Sequence, residues 1–341
     1  MKKYLFVLAA VALLVACKKE EKASVITVGA EEITPTIVVL KGKAELGPVV
    51  SADWKMGFQY STASGIMPSN STTVEAEDAD VKYNYSATLL GLQPETTYYF
   101  RAFFRENGQD IYGETKEFRT GSIPKGAVDL GIVMTREDGT TYPLFWAPSN
   151  LRKNGLCLRP VDRGDYYAWG ETEPKSNFTL ENEKWNTSGD QFKYTRYCPS
   201  DKPERWAGPG SPDNKTEFSD YDYVDDAARQ TLGGNWRTPT SAELMALVKE
   251  CKWTFTDDYN GTGVKGMVFE GRNGNHIFLP VTGEQFGTTP RYTEDQGYYW
   301  SSSLCLEFPG HAFRLYFGPS YAPYKFQTNR YCGAVIRPVT E

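Results

Sequence analysis

The stretch WRTPTSAE, residues 236–243, decides the fold of the C-terminal part of this chain. Within it, Thr240 and Glu243 have the spacing of a capping box, in which each side chain bonds to the backbone N–H of the other residue. Leu244 and Leu247 follow at helical spacing. The sequence therefore predicts a helix that begins at Thr240.

A second, shorter helix is predicted just upstream. Asp225 and Asp226 stand at its start, where the helix dipole favours negative charge, and Gly233 ends it. Around these helices, from residue 127 onward, strand-like runs alternate with long polar loops that hold seven of the eight Trp residues. Residues 121–126, GSIPKG, precede this region and have the composition of a linker.

Several segments of the C-terminal region carry a family resemblance. Residues 237–243 resemble the R-L-P-T-x-A-E helix entry of the formylglycine-generating-enzyme superfamily, which has a C-type-lectin-like fold. The wider pattern is more similar to the Fibrobacter succinogenes major paralogous domain family, with matches in order at 128–131, 146–150, 164–171, 225–228, 233–237, 274–275, 277–280, 299–303 and 335–339. The resemblance implies an α+β C-type-lectin-like domain over 127–341, but no particular activity.

The same region gives little support to catalysis. A formylglycine-generating oxidase uses thiolates in a segment that bears Arg-Gly-Gly, whereas the stretch WSSSLC, residues 300–305, is not preceded by one. The serines lack a G-x-S-x-G elbow, and His276 and His311 are the only histidines. We therefore predict no catalytic residues and no enzyme activity.

An envelope enzyme that acts on glycans or peptides is the main alternative. It would need two carboxylates at a fixed separation across one cleft. The sequence offers pairs such as Glu171 with Glu173 and Asp257 with Asp258, but sequence alone cannot place them in a cleft. A structural subunit of a surface assembly is a further alternative.

Residues 24–120 are predicted to form one all-β unit. Gly, Pro, Ser and Asn separate short runs at 25–28, 36–40, 55–60 and 83–89. The stretch LQPETTYYFR, residues 92–101, resembles the E–F turn of fibronectin type III domains, with Leu92, Pro94, Thr96 and Tyr98 in its L-x-P-x-T-x-Y pattern. The resemblance implies that the Tyr98 hydroxyl ties this turn to the backbone, and that runs at 99–104 and 111–119 complete a sandwich of about seven strands.

The N-terminus predicts export and lipid attachment. The apolar run at 4–16 is shorter than the roughly 20 residues that span a bilayer, and after two lysines it fits a signal peptide over 1–16. It ends in LVAC, which resembles a bacterial lipobox and implies lipidation of Cys17; an ordinary signal peptide with a chance cysteine is the alternative. The charged tether at 17–23 resembles the surface-export signal of Bacteroidota lipoproteins. We expect an outer-membrane lipoprotein, anchored through this lipid and exposed at the cell surface.

Charge and cysteine content restrict the partners further. The chain has a formal net charge of −6, so no basic surface is available for nucleic acid. Besides Cys17 there are five cysteines, and an oxidising envelope permits at most two disulfides among them. We predict Cys305–Cys332 and, as a second pair, Cys198–Cys251. No C-x-x-C pair is present, which disfavours zinc.

An acidic run could in principle hold calcium. Its members are Asp213, Asp220, Asp222, Asp225 and Asp226. The run lacks the D-x-D-x-D-G loop, and the Glu-Pro-Asn and Gln-Pro-Asp motifs of calcium-dependent lectins are absent. Helix capping and solvated charge account for most of it. We therefore expect no cofactor, with a structural calcium as the open alternative.

The loop at 318–331 is the strongest candidate for a ligand surface. It is rich in Tyr, Ser, Asn and Gly, the composition of binding loops that combine rigid aromatic anchors with adaptable polar groups. An ordinary β-hairpin with core aromatics is the alternative. We predict ligand contacts at Tyr321, Tyr324, Phe326 and Arg330, with Trp169 and Trp185 as further candidates. The expected function is non-catalytic adhesion or recognition, in which the lectin-like domain binds a glycan or protein ligand.

Overall fold

The computed structural model of the chain describes residues 23–46, 54–186, 193–198 and 213–341. The predicted signal peptide, Cys17 and most of the tether lie outside these residues. Among the described residues, no helix has both the length and the apolar character needed to cross a membrane.

Among the described residues, the N-terminal part contains nine strands in two sheets. The sheets have the strand orders β1-β2-β6-β5 and β4-β3-β7-β8, with β9 paired to β7. The strands are β1 (Ser24–Glu31), β2 (Val38–Glu45), β3 (Trp54–Ser61), β4 (Thr72–Glu75), β5 (Asp78–Ala79), β6 (Asn84–Leu89), β7 (Thr97–Glu106), β8 (Gln109–Tyr112) and β9 (Lys116–Arg119).

Side chains from the two sheets pack against each other. Buried and partly buried residues alternate along β2 and β6, as expected for strands that cover a core on one face. The rings of Phe58 in β3 and Tyr85 in β6 lie 5.4 Å apart, and Tyr85 donates a hydrogen bond to the carbonyl of Phe103 at 3.1 Å. This all-β arrangement is consistent with the fibronectin type III-like sandwich that the sequence predicts. The predicted run at 111–119 is divided between β8 and β9.

The expected tyrosine corner is present. The hydroxyl of Tyr98 accepts a hydrogen bond from the backbone N–H of Gln93 at 2.9 Å. The Tyr98 ring is buried and stacks on Phe118 with 5.5 Å between ring centroids. The Tyr98 hydroxyl therefore ties the turn before β7 to the backbone, as the resemblance of the L-x-P-x-T-x-Y stretch implies.

The C-terminal part contains thirteen strands and two helices within the described residues. Its three-stranded sheets are β10-β11-β22, β14-β15-β16 and β19-β20-β21, and β12-β13 and β17-β18 form small hairpins. The strands are β10 (Val128–Thr135), β11 (Thr141–Trp146), β12 (Leu151–Arg152), β13 (Gly155–Leu156), β14 (Lys252–Thr256), β15 (Gly266–Glu270), β16 (His276–Pro280), β17 (Glu284–Phe286), β18 (Thr289–Arg291), β19 (Gly297–Leu304), β20 (His311–Gly318), β21 (Tyr321–Asn329) and β22 (Val339–Thr340).

Both helices begin where the sequence predicts, and the first also ends at the predicted glycine. Helix α1 (Ala227–Leu232) is capped by Asp226 and ends at Gly233. Helix α2 (Ser241–Glu250) begins with the complete capping box of Thr240 and Glu243. Because each cap bonds backbone N–H groups that have no partner inside the helix, these short polar motifs fix the helix starts by local chemistry alone.

A buried arginine links two segments of the C-terminal part through hydrogen bonds. Arg337, which is fully buried, donates hydrogen bonds to Asn150 at 2.8 Å and to the carbonyl oxygens of Phe278 at 2.7 Å and Ala147 at 3.3 Å. Burial lowers its pKa to about 10, so the guanidinium keeps its charge at neutral pH. Arg337 thereby joins β16 to the chain segment that follows β11.

The described chain divides into two compact units. One consists of the described residues up to Gly29 with Leu40–Ala87 and Tyr99–Glu117, and the other consists of Ala30–Val39, Thr88–Tyr98 and Phe118–Glu341. Inside the second unit, Thr36 donates a 2.7 Å hydrogen bond to the buried Asp129, and Asn273 donates to Thr36 at 2.9 Å. The segment around Thr36 is therefore tied by side chains to the start of β10.

The two predicted disulfides are absent from the structure. The Cys305 thiol donates to Gln327, whereas the Cys332 thiol accepts from Thr328. Gln327 and Thr328 are consecutive in β21, so the two thiols lie on opposite faces of that strand.

The second predicted pair is also separated by packing. Cys198 packs with Tyr194 and Trp185, whereas Cys251 ends helix α2 and packs in the core that includes Leu244. The prediction of disulfides is therefore wrong for both pairs, because the two thiols of each pair lie on opposite faces of a strand or in different cores. The number of cysteines in a sequence does not indicate where each thiol lies in the fold.

Candidate functional site

The sheet β19-β20-β21 places a row of aromatic side chains on one face. Tyr298 in β19 lies opposite Tyr316 in β20, which lies opposite Tyr324 in β21. In the next row, Arg314 in β20 lies opposite Phe326. Because residues two positions apart point to the same side of a strand, both rows share one face of the sheet.

This face grows more exposed toward the edge strand. Tyr298 and Tyr316 are buried, whereas Tyr324 and Phe326 are 43% and 42% exposed. Tyr321, at the start of β21 after the two-residue turn at 319–320, is 56% exposed. We call the exposed and supporting rings together the aromatic face; its members are Tyr292, Tyr298, Tyr316, Tyr321, Tyr324 and Phe326.

The rings of the aromatic face support one another. The Tyr316 ring lies 5.1 Å from Tyr298, 5.0 Å from Tyr324, 6.0 Å from Tyr321 and 6.3 Å from Phe326, measured between centroids. These distances are in the range of favourable aromatic pairs. Tyr324 and Phe326 stand almost perpendicular, at 89°. The exposed rings of Tyr321, Tyr324 and Phe326 therefore pack against the buried ring of Tyr316, and the last two form a right-angled corner.

Tyr292 extends the aromatic face beyond the sheet. It is 52% exposed, and its ring lies 6.1 Å from Tyr298. Its φ of 56° is in the left-handed region, which few residues other than glycine, asparagine and aspartate adopt. The surrounding structure thus holds an uncommon backbone conformation at a tyrosine that presents its ring to solvent.

A buried ion pair underlies the exposed rings. Arg314 donates to Glu284 at 2.6 Å, and both side chains are nearly inaccessible to solvent. The Arg314 guanidinium lies 4.0 Å from the centre of the Tyr298 ring and 5.5 Å from that of Phe326. This cation under the rings limits their movement, so the surface is arranged before a ligand arrives.

The edge strand β21 is protected against pairing with another strand. It lies at one side of the sheet β19-β20-β21. Pro323 has no N–H to donate, and the exposed Lys325 places a charge on the edge. Both devices are common on natural sheet edges that must not add strands. The side chains of β21 are therefore more available to a ligand than its backbone.

The structure divides the predicted ligand contacts into two groups. Tyr321, Tyr324 and Phe326 lie together on the aromatic face and are exposed. Arg330 and Trp169 are almost fully buried, so neither lies on an exposed ligand surface, and these two predictions are wrong.

A different environment surrounds the other predicted residues. Arg330 follows the end of β21, and its guanidinium lies 4.9 Å from the Trp169 ring and 4.4 Å from the Tyr194 ring. Trp185 is partly buried, with Lys184 and Arg196 each within 4.4 Å of its ring centre. The rings of Trp169 and Tyr194 therefore pack around the buried Arg330, whereas Trp185 lies beside the exposed Lys184 and the partly buried Arg196.

Arg330 also forms a long ion pair with a buried carboxylate. Its Nη2 atom lies 3.7 Å from Oε1 of Glu183, and both side chains are fully buried. Neither atom has a hydrogen bond of normal geometry to the residues that the structure describes. Burial raises the pKa of Glu183 to about 7, although the nearby Arg330 acts in the opposite direction.

We expect this carboxyl group to make folding stability depend on pH. A glutamate whose folded-state pKa is raised binds its proton more tightly when folded, so its contribution is complete below about pH 4.5 and is lost as pH rises to about 7. The loss amounts to about 3 kcal/mol. Unfolding free energies of the wild type and of Glu183→Gln, compared across this range, should diverge by that amount. Glu181→Gln, an exposed neighbour, is the control, and parallel curves for Glu183→Gln and the wild type would contradict the assignment.

Four of the five aspartates in the acidic run that could have held calcium are engaged by the fold. Asp226 caps α1, and Asp220 accepts a backbone N–H in the capping box of the short 3₁₀ helix Phe218–Tyr221. Asp213 accepts the N–H groups of residues 197 and 198, and Asp225 is paired with Arg196. Among the described residues, no group of three or more His, Cys, Asp or Glu could hold a metal ion.

The glutamate and aspartate pairs considered for catalysis are also engaged. Glu171 accepts from Lys175 at 2.7 Å, while Glu173 pairs with Lys153 at 3.2 Å. Asp258 accepts the backbone N–H of residue 263. These contacts are structural.

Sequence reasoning missed the members of the aromatic face that precede the loop at 318–331. The sequence does contain a signal for this face. Tyr298 and Trp300 are two positions apart, as are Arg314 and Tyr316, and such a spacing places both residues of a pair on the same face of a strand. What the sequence does not contain is the register that aligns these strands with Tyr324. Only the pairing of β19, β20 and β21 brings the rings into one surface.

Comparisons with known proteins give distant structural neighbours. No family model matches this chain, and no curated protein matches it. The sensor domain of the anti-sigma factor RsgI4 from Pseudobacteroides cellulosolvens is 24% identical over 30% of this chain and 96% of that chain, with a TM-score of 0.25. A fibronectin type III domain from the human KIAA0970 protein is 16% identical over 30% of this chain and 75% of that chain, with a TM-score of 0.22. Neighbours at these scores carry no conclusion about function.

Proposed function

We propose that this protein is a non-catalytic binding protein that holds a glycan on the aromatic face. The observation that carries the proposal is the exposure of Tyr321, Tyr324 and Phe326 side by side on a sheet whose deeper rings and buried ion pair support them. Monomeric proteins rarely expose contiguous apolar surface without a use for it. The aromatic face is thus the contact surface on which the proposal rests.

The chemistry of the aromatic face suits a sugar. One side of a pyranose ring presents C–H groups that pack on an aromatic ring, while its hydroxyl groups need hydrogen-bond partners. Tyr321 and Tyr324 offer both a ring and a hydroxyl, and the perpendicular Phe326 closes one side of the corner. A protein ligand that adds a strand is disfavoured by Pro323 and Lys325 on the edge.

The proposed location follows from the N-terminal sequence. The apolar run at 4–16, the lipobox at Cys17 and the charged tether support a lipid-anchored protein on the outer surface of the outer membrane. In this proposal a fibronectin type III-like domain precedes a C-type-lectin-like domain that meets the ligand. Protease treatment of intact cells, followed by mass spectrometry, should release peptides of the C-terminal domain; their protection until the cells are lysed would contradict surface display.

A glycan array tests the proposed function directly. We expect the purified protein to bind a restricted set of glycans, and the Tyr324→Ala/Phe326→Ala variant to bind none of that set above background. Glycan binding that the variant retains would move the site elsewhere. Binding to no glycan at all, with intact folding, would contradict the proposal.

A further inference from the structure

The hydroxyl of Tyr316 is a polar group in the middle of the aromatic face that the fold leaves unused. Tyr316 is 8% exposed, yet its hydroxyl makes no hydrogen bond with the residues that the structure describes, and its oxygen atom still reaches solvent. The neighbouring buried tyrosine, Tyr298, instead donates to the side-chain oxygen of Gln296. Because a buried tyrosine hydroxyl usually has a partner, the free hydroxyl of Tyr316 needs an explanation outside the fold.

The turn between β18 and β19 borders the aromatic face. The backbone N–H of Gln296 donates to the carbonyl of Tyr292 at 3.2 Å, and the Gln296 side chain accepts the hydroxyl of Tyr298. The carbonyl oxygen of Asp295 lies 3.4 Å from the position that a Cβ atom on Gly318 would occupy, at the end of β20. These contacts fix the backbone of the turn beside the rings.

Asp295 places a carboxylate in this turn. Its side chain is exposed and has no hydrogen bond or ion pair within the described part of the chain. Burial is the main reason that the pKa of Tyr316 is raised, and the charge of Asp295 acts on that pKa in the same direction. A hydroxyl that can donate and a carboxylate that can accept therefore border the same rings, and the fold uses neither.

The other charges around the aromatic face do not neutralise this carboxylate. Arg314 is paired with Glu284 beneath the rings. Lys325 lies over the Phe313 ring, 4.3 Å from its centre, and both residues alternate along their strands with members of the opposite side of the sheet. The ammonium group of Lys325 is therefore on the side of the sheet away from the aromatic face.

One further cation lies near the turn together with a second carboxylate. Arg163 donates to the carbonyl of Thr293 at 3.1 Å. Arg163 and Glu294 both line a separate cavity, to which no member of the aromatic face contributes. The turn thus carries two carboxylates against one neighbouring cation, so negative charge remains in excess at this end of the face.

We propose that the ligand of the aromatic face is an uncharged glycan, and that Tyr316 and Asp295 select it through hydrogen bonds to its hydroxyl groups. The inference rests on the proposed function and adds the class of glycan to it. The sugar ring packs on Tyr321 and Tyr324, while a few fixed polar groups orient it, as in most small-ligand sites. An acidic glycan would bring a second negative charge to Asp295, and like charges in contact are strongly disfavoured.

An array of glucose, galactose and mannose oligosaccharides tests the proposed selectivity on the whole protein. Each oligosaccharide is printed beside its counterpart in which C6 of the terminal sugar is oxidised to a carboxylate. We expect the uncharged member of a bound pair to bind at least about tenfold more tightly at low salt, and the difference to shrink as salt rises.

A matched pair of variants assigns the selectivity to Asp295. Asp295→Asn keeps an acceptor oxygen but removes the charge, so the preference for the uncharged member should fall below about threefold. Glu137→Gln removes a charge from an exposed glutamate in the turn between β10 and β11, and its preference should equal that of the wild type. A preference that Asp295→Asn retains in full would overturn the role of Asp295.

Tyr316→Phe tests the hydroxyl while the supporting ring stays in place. We expect it to weaken the uncharged glycan about fivefold. Tyr259→Phe, which removes a hydroxyl that bonds to His276, should leave the affinity unchanged.

The outcomes separate this inference from the proposed function. Equal binding of both members of a pair, or unchanged affinity in Tyr316→Phe, would overturn the inference, whereas glycan binding that Tyr324→Ala/Phe326→Ala abolishes would still support the proposed function. Binding to no member of the array would contradict both.

Discussion

Replacing Tyr324 and Phe326 together by alanine is expected to weaken glycan binding about 100-fold. Each ring is exposed and rests on Tyr316, so its removal takes away a rigid contact for a sugar. The loss of about 1.4 kcal/mol for each truncated ring is a tenfold change in affinity, so the loss of both rings corresponds to about 100-fold. The dissociation constant of a glycan identified on the array, measured by calorimetry, gives the result.

The control for this variant is a matched aromatic on another sheet. Trp253 in β14 is 39% exposed, close to the exposure of Tyr324. Trp253→Ala should bind the glycan as the wild type does. Because both changes lie at the surface, the melting temperature should move little in either variant. Equal affinity in the double variant and the wild type would exclude the aromatic face as the glycan site.

Glu243→Ala is expected to destabilise the C-terminal domain by about 3–5 kcal/mol. The Glu243 carboxylate is fully buried, accepts from Arg237 at 2.6 and 2.7 Å, and also accepts the backbone N–H of Thr240 at 2.8 Å. Burial acts to raise the pKa of Glu243, but the hydrogen bonds and charge of Arg237 outweigh it and hold that pKa below its usual value. The alanine variant leaves the buried Arg237 with only the more distant carboxylate of Glu341, at 3.5 Å, and removes half of the capping box.

Chemical denaturation followed by tryptophan fluorescence measures this effect, because seven of the eight tryptophans lie after residue 127. Glu250→Ala, at the far end of the same helix, removes a carboxylate with an exposed partner and should cost less than about 1 kcal/mol. A Glu243→Ala protein as stable as the Glu250→Ala protein would show that the ion pair is dispensable for the helix start.

Features determined by neighbours in the sequence could be predicted. The capping box at Thr240 and Glu243 and the aspartate before α1 each bond within a few residues, so their spacing is sufficient. The same holds for Tyr98, whose partner Gln93 is five residues away. Strand runs on the two faces of a sandwich were predictable from alternation, although their exact ends were not.

Features determined by distant neighbours could not be predicted. Arg330 lies in a Tyr- and Asn-rich stretch that has the composition of a contact loop, yet its partner Glu183 is far away in the sequence. Trp169 is buried against Arg330 and Phe218 for the same reason. Composition indicates that a segment is aromatic, whereas register and burial determine whether its rings form a surface or a core.

Footprinting of the protein with hydroxyl radicals, with and without the bound glycan, tests the central claim most directly. Mass spectrometry of the labelled peptides reports the protection of individual side chains. We predict that the glycan protects Tyr321, Tyr324 and Phe326, and that exposed residues outside the aromatic face, such as Leu306, stay reactive. Protection of Leu306 with full reactivity at Tyr324 and Phe326 would contradict the account.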